Sequence, residues 1–342
     1  MTLRALVLRH DVPEPAPDAA PGAAPTVSVE ELDETSLPAG EVTIDVARSS
    51  LNYKDALVLA GRPGLVRTYP HVPGIDLAGT VRTSDAAPWA AGDEVLVTGC
   101  WLGERHWGGM ATVARVPAAW VVRRPEGMDA QRAMALGTAG FTAQLAVDAL
   151  TRGGVAPEDG PVLVTGATGG VGTIAVMLLA RAGFTVEAAT GASGDPDVEA
   201  LLGALGASRT LPREEVSGAA GRPLASARWA GAVDVAGGAT LAGVLAQVRP
   251  LGVVAACGLA DDATLATTVM PFIVRGVTLA GIDSVLHPVA ARADVWERLQ
   301  RAVDDDRLER ITTTVGLAEA ADRAATLLTV GVRGRTVVDP AR

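Results

Sequence analysis

Lysine is nearly missing from this chain: of 29 basic residues only Lys54 is a lysine, and the rest are arginines. With abundant alanine, this points to a GC-rich coding bias, against which Lys54 stands out. Cysteine is almost as scarce, at Cys100 and Cys257 alone. Two thiols cannot build a disulfide framework or a four-cysteine zinc site, and such scarcity fits a reducing cytoplasm. No run of about 20 uninterrupted apolar residues occurs, so no membrane span is expected. The first 15 residues lack an apolar stretch ahead of charges and prolines, so no secretion signal is expected either. Positive charge is in deficit, with a net charge of −10 and an isoelectric point near 5.0. A surface of that sign repels a phosphate backbone and argues against a nucleic-acid partner.

What is present is a foldable chain. Its 342 residues are 49% hydrophobic and 20% charged, which excludes disorder and suits two domains. Short strand-like runs at 3–8, 41–46, 79–81, 94–97 and 119–122, punctuated by glycine and proline, predict a β-rich, partly open barrel. Residues 11–25 read as a solvated loop or hairpin extension. Near residue 133 the pattern changes. A helix is expected over 133–150, a buried strand over 161–165, a helix over 171–182, a strand over 184–189 and a helix over 198–205. Further strands are expected at 231–236, 253–257 and 277–282. This alternation predicts a parallel, doubly wound sheet. Helices over 290–303 and 318–328 and a strand over 335–338 close the chain and are expected to return to the first domain. The expected division is 1–135 with 284–342, and 136–283. No internal repeat occurs.

Gly166, Gly169 and Gly172 lie between the buried strand and an amphipathic helix. Glycines let backbone N–H groups approach a diphosphate, and the helix N-terminus carries partial positive charge. The spacing differs from the common G-x-G-x-x-G, and a purely structural turn is the alternative. At the end of the second strand Thr190, Gly191, Ala192 and Ser193 bring no carboxylate, although Asp195 and Asp197 follow. The hydroxyls of Thr190 and Ser193, with Arg213 after the next expected strand, suit a ribose 2′-phosphate.

Metal ligands are not apparent. The segments Ser49–Asp55 and Pro73–Asp76 supply neither thiolate nor imidazole, and His10, His71, His106 and His287 lack ligand spacing. A G-x-S-x-G nucleophile elbow is absent as well.

The strings Ser50-Leu51-Asn52-Tyr53-Lys54-Asp55, Pro73-Gly74-Ile75-Asp76, His106-Trp107-Gly108-Gly109, Gly137-Thr138-Ala139-Gly140-Phe141 and Thr165-Gly166-Ala167-Thr168-Gly169-Gly170-Val171-Gly172 carry a family resemblance. So do Ala256-Cys257-Gly258-Leu259, Thr268-Val269-Met270-Pro271-Phe272-Ile273 and Gly281-Ile282-Asp283. The chain resembles the zinc-independent, quinone-oxidoreductase branch of the medium-chain dehydrogenase/reductase superfamily. Within it the chain looks most like the acryloyl-CoA reductase group. The resemblance covers nearly the whole chain except residues 11–25.

It implies a GroES-like β-rich catalytic domain joined to a Rossmann domain with a doubly wound parallel sheet. The implied activity is NADPH-dependent reduction of the activated C=C bond of an α,β-unsaturated acyl-CoA. Tyr53 matches the family tyrosine beside the nicotinamide, acting as catalytic donor or orienting the cofactor. Thr168, Gly169, Gly170 and Val171 match the pyrophosphate loop. Thr190, Gly191 and Ala192 stand at the family's Ser-Gly-Arg, and Arg213 matches a second adenosine-end arginine. Leu259 and Ile273 match residues on the nicotinamide side. Ala192 replaces the family arginine, which shifts recognition of the 2′-phosphate to Arg213, Thr190 and Ser193 and leaves NADH open as a cofactor. Lys54 and Asp55 are expected to form a local ion pair, and Arg62, Arg67, Arg105 and Arg275 are candidates for a basic patch toward acyl-CoA phosphates. A homodimer formed through the nucleotide domain is the family expectation. A quinone or enone reductase, and a non-catalytic nucleotide-binding protein, remain as alternatives. The expected partner is a small enoyl thioester or quinone, with no metal, membrane or nucleic acid.

Overall fold

The computed structural model describes residues 1–11, 24–329 and 333–342, and these group into two compact units. Most of the 11–25 segment therefore lies outside the described residues. The first unit comprises Met1–Thr138, Val285–Gln300 and Ile311–Arg342; the second comprises Ala139–Ser284 and Arg301–Arg310. Residues 301–310 thus group with the second unit, where the sequence pattern suggested the first.

In the first unit, strands Thr2–Arg9 and Thr26–Asp33 pair antiparallel. A larger sheet runs in the order Thr312–Gly316, Arg335–Asp339, Val42–Leu51, Asp76–Ser84, Glu94–Thr98 and Val122–Arg123, with Val113–Val116 also paired to Val42–Leu51. Only the first of these pairs is parallel. Val42, Ile44, Leu77, Val81, Val95 and Val97 point into one apolar cluster, which explains the residue types in these strands. Burying each such side chain contributes about 2 kcal/mol. The expected strand at 119–122 is instead a short 3-10 turn, Ala118–Trp120, followed by Val122–Arg123.

The second unit holds six strands, all parallel, in the order Ala207–Pro212, Val186–Thr190, Val162–Val164, Trp229–Asp234, Val248–Ala256 and Thr278–Gly281. Counted within this unit the order is three-two-one-four-five-six, the doubly wound arrangement. Its switch point falls where Val162–Val164 meets Trp229–Asp234. Leu163, Val244, Leu245 and Val254 are fully buried on this sheet and its helices.

Helix Ala130–Arg152 is long and apolar enough to cross a membrane, but 89% of its apolar window is buried inside the protein. It is also broken. Gly137 has φ 52° and ψ −157°, a conformation that favours glycine. A Cβ there would come 2.6 Å from Asp76 Oδ2, 2.8 Å from Arg335 Nη2 and 2.9 Å from Ser50 Oγ. The break frees the next N–H from the helical ladder, and Thr138 N donates to Asp76 Oδ2 at 2.8 Å.

Candidate active site

The first group of residues is built where strand Val42–Leu51 turns into helix Tyr53–Leu59. Asn52 is the N-cap, and its backbone N–H donates to Asp55 Oδ2 at 2.8 Å, closing a capping box. Tyr53 is the first helical residue and remains 40% exposed between buried Asn52 and Asp55. The Asp55 carboxylate also accepts from Gly74 N at 3.1 Å and Ile75 N at 2.9 Å, so it ties the turn to the neighbouring segment. Asp76 Oδ2 accepts from Ser50 Oγ at 2.6 Å and from Asn52 Nδ2 at 2.9 Å, while Asp76 Oδ1 accepts from the Thr138 hydroxyl. Arg335 donates to Asn52 Oδ1 at 3.1 Å and to the Ala135 carbonyl at 2.8 Å. Burial pushes the Asp55 carboxyl up to about 7, helped by the charge of Asp76 and opposed by the Asn52 and Ile75 N–H donors.

The expected Lys54–Asp55 ion pair is not formed. Lys54 Nζ instead meets buried Glu104 at 3.2 Å, because successive residues on a helix face different directions. Arg275 is no surface patch member either. Its guanidinium caps the carbonyls of Ala246 and Val248, both at 3.0 Å, and that of Ala225. Among the described residues no three His, Cys, Asp or Glu side chains form a metal-holding set. Cys257 donates its thiol to the Asp234 carbonyl, and burial pushes that thiol up to about 12.

The second group lies at the carboxyl ends of the parallel strands. Gly166, at φ 57°, starts a tight turn whose carbonyl accepts from Gly169 N at 3.0 Å. Helix Gly170–Arg181 follows, with Gly169 as an N-cap that offers no side-chain oxygen, leaving its first N–H groups to an external acceptor. A Cβ on Gly172 would lie 2.3 Å from Gly166 O, so only glycine lets the helix start this close to the turn. The Thr168 and Thr190 hydroxyls are 3.2 Å apart, and Thr190 Oγ1 accepts from Ala192 N at 3.2 Å. Arg213 opens helix Arg213–Ser217, and its guanidinium carbon is 3.9 Å from where a Gly191 Cβ would stand. Ser193 is half-buried in the same turn. Thus Thr168, Thr190, Gly191, Ala192 and Arg213 come together within this unit. Leu259 packs its backbone against Gly237, while Ile273 sits 71% exposed on helix Met270–Arg275, not tied to the loop.

At the switch point Thr165 Oγ1 donates to Asp234 Oδ1 at 2.7 Å and accepts from Val235 N at 3.0 Å. Gly237 N donates to Asp234 Oδ2 at 2.8 Å. Burial raises the Asp234 carboxyl to about 6 against these donors. A strong-donor turn with an uncapped helix behind it is a fitting cradle for a dinucleotide diphosphate.

Sequence reasoning did not single out Asp76, Thr138, Arg335, Thr165 or Asp234. The spacing of Asn52 and Asp55 was a capping-box signal for part of the first set. Asp76, Thr138 and Thr165 stand in strings that carry the family resemblance, but bonds spanning such long separations left no trace of what each one holds.

Residues 38–126 match the alcohol dehydrogenase GroES-like domain. The chain is 50% identical over 311 residues to the probable acrylyl-CoA reductase AcuI of Escherichia coli K12, covering 91% of this chain and 94% of that one. It is 43% identical to the putative quinone oxidoreductase YhfP of Bacillus subtilis, covering 92% and 94%, and a YhfP structure with NAD bound superposes with a TM-score of 0.90. The YhdH oxidoreductase of Salmonella enterica, solved in complex with NADP, shares 46% identity and a TM-score of 0.91 over 98% of this chain and 99% of its own. On this likeness, the chain belongs to the zinc-independent, quinone-oxidoreductase branch of the medium-chain dehydrogenase/reductase superfamily, in the group that includes the acrylyl-CoA reductases.

Proposed function

We propose that this chain reduces the activated C=C bond of an α,β-unsaturated acyl-CoA with NADPH, turning acryloyl-CoA or a close relative into the saturated thioester. The 50% identity to an acrylyl-CoA reductase across nearly the full chain carries this reading. Thr168, Gly169, Gly170 and Val171 hold the diphosphate of the dinucleotide, and Thr190, Gly191, Ala192, Ser193 and Arg213 hold its 2′-phosphate end. Leu259 and Ile273 line the nicotinamide side. Bound NADPH supplies a hydride to the β-carbon of the alkene. Tyr53 donates its hydroxyl to the carbonyl oxygen as charge builds there, from a turn that Asn52 and Asp55 keep rigid. A proton taken up at the α-carbon completes the reduction.

A quinone or enone is the second reading, supported by the YhfP relative. The experiment mixes protein and NADPH with acryloyl-CoA or a benzoquinone and follows the absorbance of the reduced nicotinamide. Oxidation driven by acryloyl-CoA, with formation of propanoyl-CoA, is the expected outcome. Turnover with the quinone alone overturns the first reading.

We further propose a cytoplasmic homodimer. Strand Thr278–Gly281 is a sheet edge with one neighbour, and Leu251, Val269 and Val274 are exposed in the same unit. An edge of that composition needs covering. Light scattering at a monomer mass of 34.7 kDa would remove the dimer.

A further inference from the structure

The loop after strand Glu94–Thr98 holds an unusual conformation. Gly99, Cys100 and Trp101 have φ 71°, 55° and 62°, so two consecutive non-glycine residues are left-handed. Such strain persists only where the surroundings fix it, and often where binding uses it. The surroundings here do fix it. His71 Nε2 lies 2.9 Å from the Gly103 carbonyl, and Glu104 N and Arg105 N both donate to the Trp101 carbonyl, at 3.2 and 3.0 Å. A Cβ on Gly103 would stand 2.6 Å from the Gly74 backbone, so the loop packs main chain to main chain.

The outcome is a cationic aromatic platform. The Arg105 guanidinium stacks 3.9 Å from the Trp101 ring centroid, and Lys54 Nζ lies 5.9 Å from the same ring. Glu104 holds Lys54 at 3.2 Å from its buried position. Arg105 is exposed, and among the described residues its guanidinium has no hydrogen-bond or ion-pair partner. Lys54 and Arg105 outweigh Glu104 by one positive charge, on a protein whose net charge is −10.

We propose that Trp101, Arg105 and Lys54 dock the phosphorylated nucleotide end of the coenzyme A thioester. This rests on the enoyl-thioester reading above and names the residues that select a full coenzyme over a shorter thioester. A stacked guanidinium offers a planar face to a base and N–H donors to a phosphate, while Lys54 adds a point charge. Lys54 directly follows Tyr53 in the chain. The flexible pantetheine arm lets a nucleotide fold back onto the turn that serves its acyl end.

The test compares acryloyl-CoA with acryloyl-pantetheine, both with NADPH, in the unaltered protein and in Arg105→Ala. The ratio of kcat/KM for the two substrates is expected to fall about tenfold in the variant, the equivalent of one charge-assisted hydrogen bond. Arg105→Lys should restore part of it. Adenosine 3′,5′-bisphosphate should bind the unaltered protein and quench its tryptophan fluorescence, with about tenfold weaker binding to Arg105→Ala. An unmoved ratio overturns the platform. Arg105-dependent bisphosphate binding without reduction of either thioester keeps the platform and sinks the reductase reading. Loss of both signals sinks the platform as well.

Discussion

The turn at Tyr53 and the loop at 166–172 each present a few groups on a rigid support, yet the supports are made of different material. Around Tyr53 the scaffold is held by polar side chains: two buried carboxylates, one buried guanidinium, and the side-chain amide of Asn52 joining them. Around the glycine loop it is main chain to main chain, with Gly172 allowing a helix to start against the Gly166 carbonyl. A charged scaffold is sensitive to pH and to loss of any partner, because an orphaned buried charge is costly. A glycine turn holds no titrating group of its own and is intolerant of added volume.

Arg335→Met breaks the comparison most sharply. It leaves Asn52 Oδ1 and the Ala135 carbonyl without their donor and removes the positive charge near Asp55 and Asp76. A loss of about 3–5 kcal/mol in unfolding free energy is expected, measured by urea denaturation. A loss below about 1 kcal/mol would show that the charges are not what holds this turn. Gly172→Val attacks the other scaffold. It should weaken NADPH binding at least about a hundredfold, read by fluorescence titration, and affinity within about threefold would contradict the close packing.

Tyr53→Phe should lower kcat about a hundredfold with cofactor affinity nearly constant, since the hydroxyl acts only as charge develops. Unchanged turnover removes Tyr53 from the chemistry. Arg213→Ala should weaken NADPH about tenfold more than NADH, a modest effect for a half-exposed side chain. Equal effects on both dinucleotides would show that it does not touch the 2′-phosphate.

A last test sharpens the pH contrast. Asp55 keeps its proton to about pH 7 when folded, against an ordinary value of 3.8. Between those values the folded chain binds more protons than the unfolded one, so this group makes stability fall as pH rises through that window. Asp55→Asn should flatten that slope in denaturation curves taken from pH 4 to 8. An unaltered slope would assign it to another group.

Much of the second unit was legible because its signals are local: a buried strand, glycines and a helical face lie within 161–182. Strand Ala207–Pro212 was legible only by its end, as the strand expected just before Arg213, since Ala-Ser-Arg-Thr-Leu-Pro on a sheet edge carries little apolar periodicity to mark its start. Helix Gly238–Gln247 begins with glycine and offers no capping side chain. In the first unit the Tyr53 turn was visible as a motif but its support was not. Asn52 meets Arg335 across 283 positions, and Lys54 finds Glu104 rather than its neighbour. The break at Gly137 was hidden inside an apolar helix, because its cause is the crowd of Asp76, Arg335 and Ser50.

Lys54 supplies the chain's sole ε-amine. Among the side chains of this sequence, amine-directed labelling therefore addresses Lys54 alone. A reporter dye coupled there would sit one position after Tyr53, on an amine whose chemistry the arginines do not share.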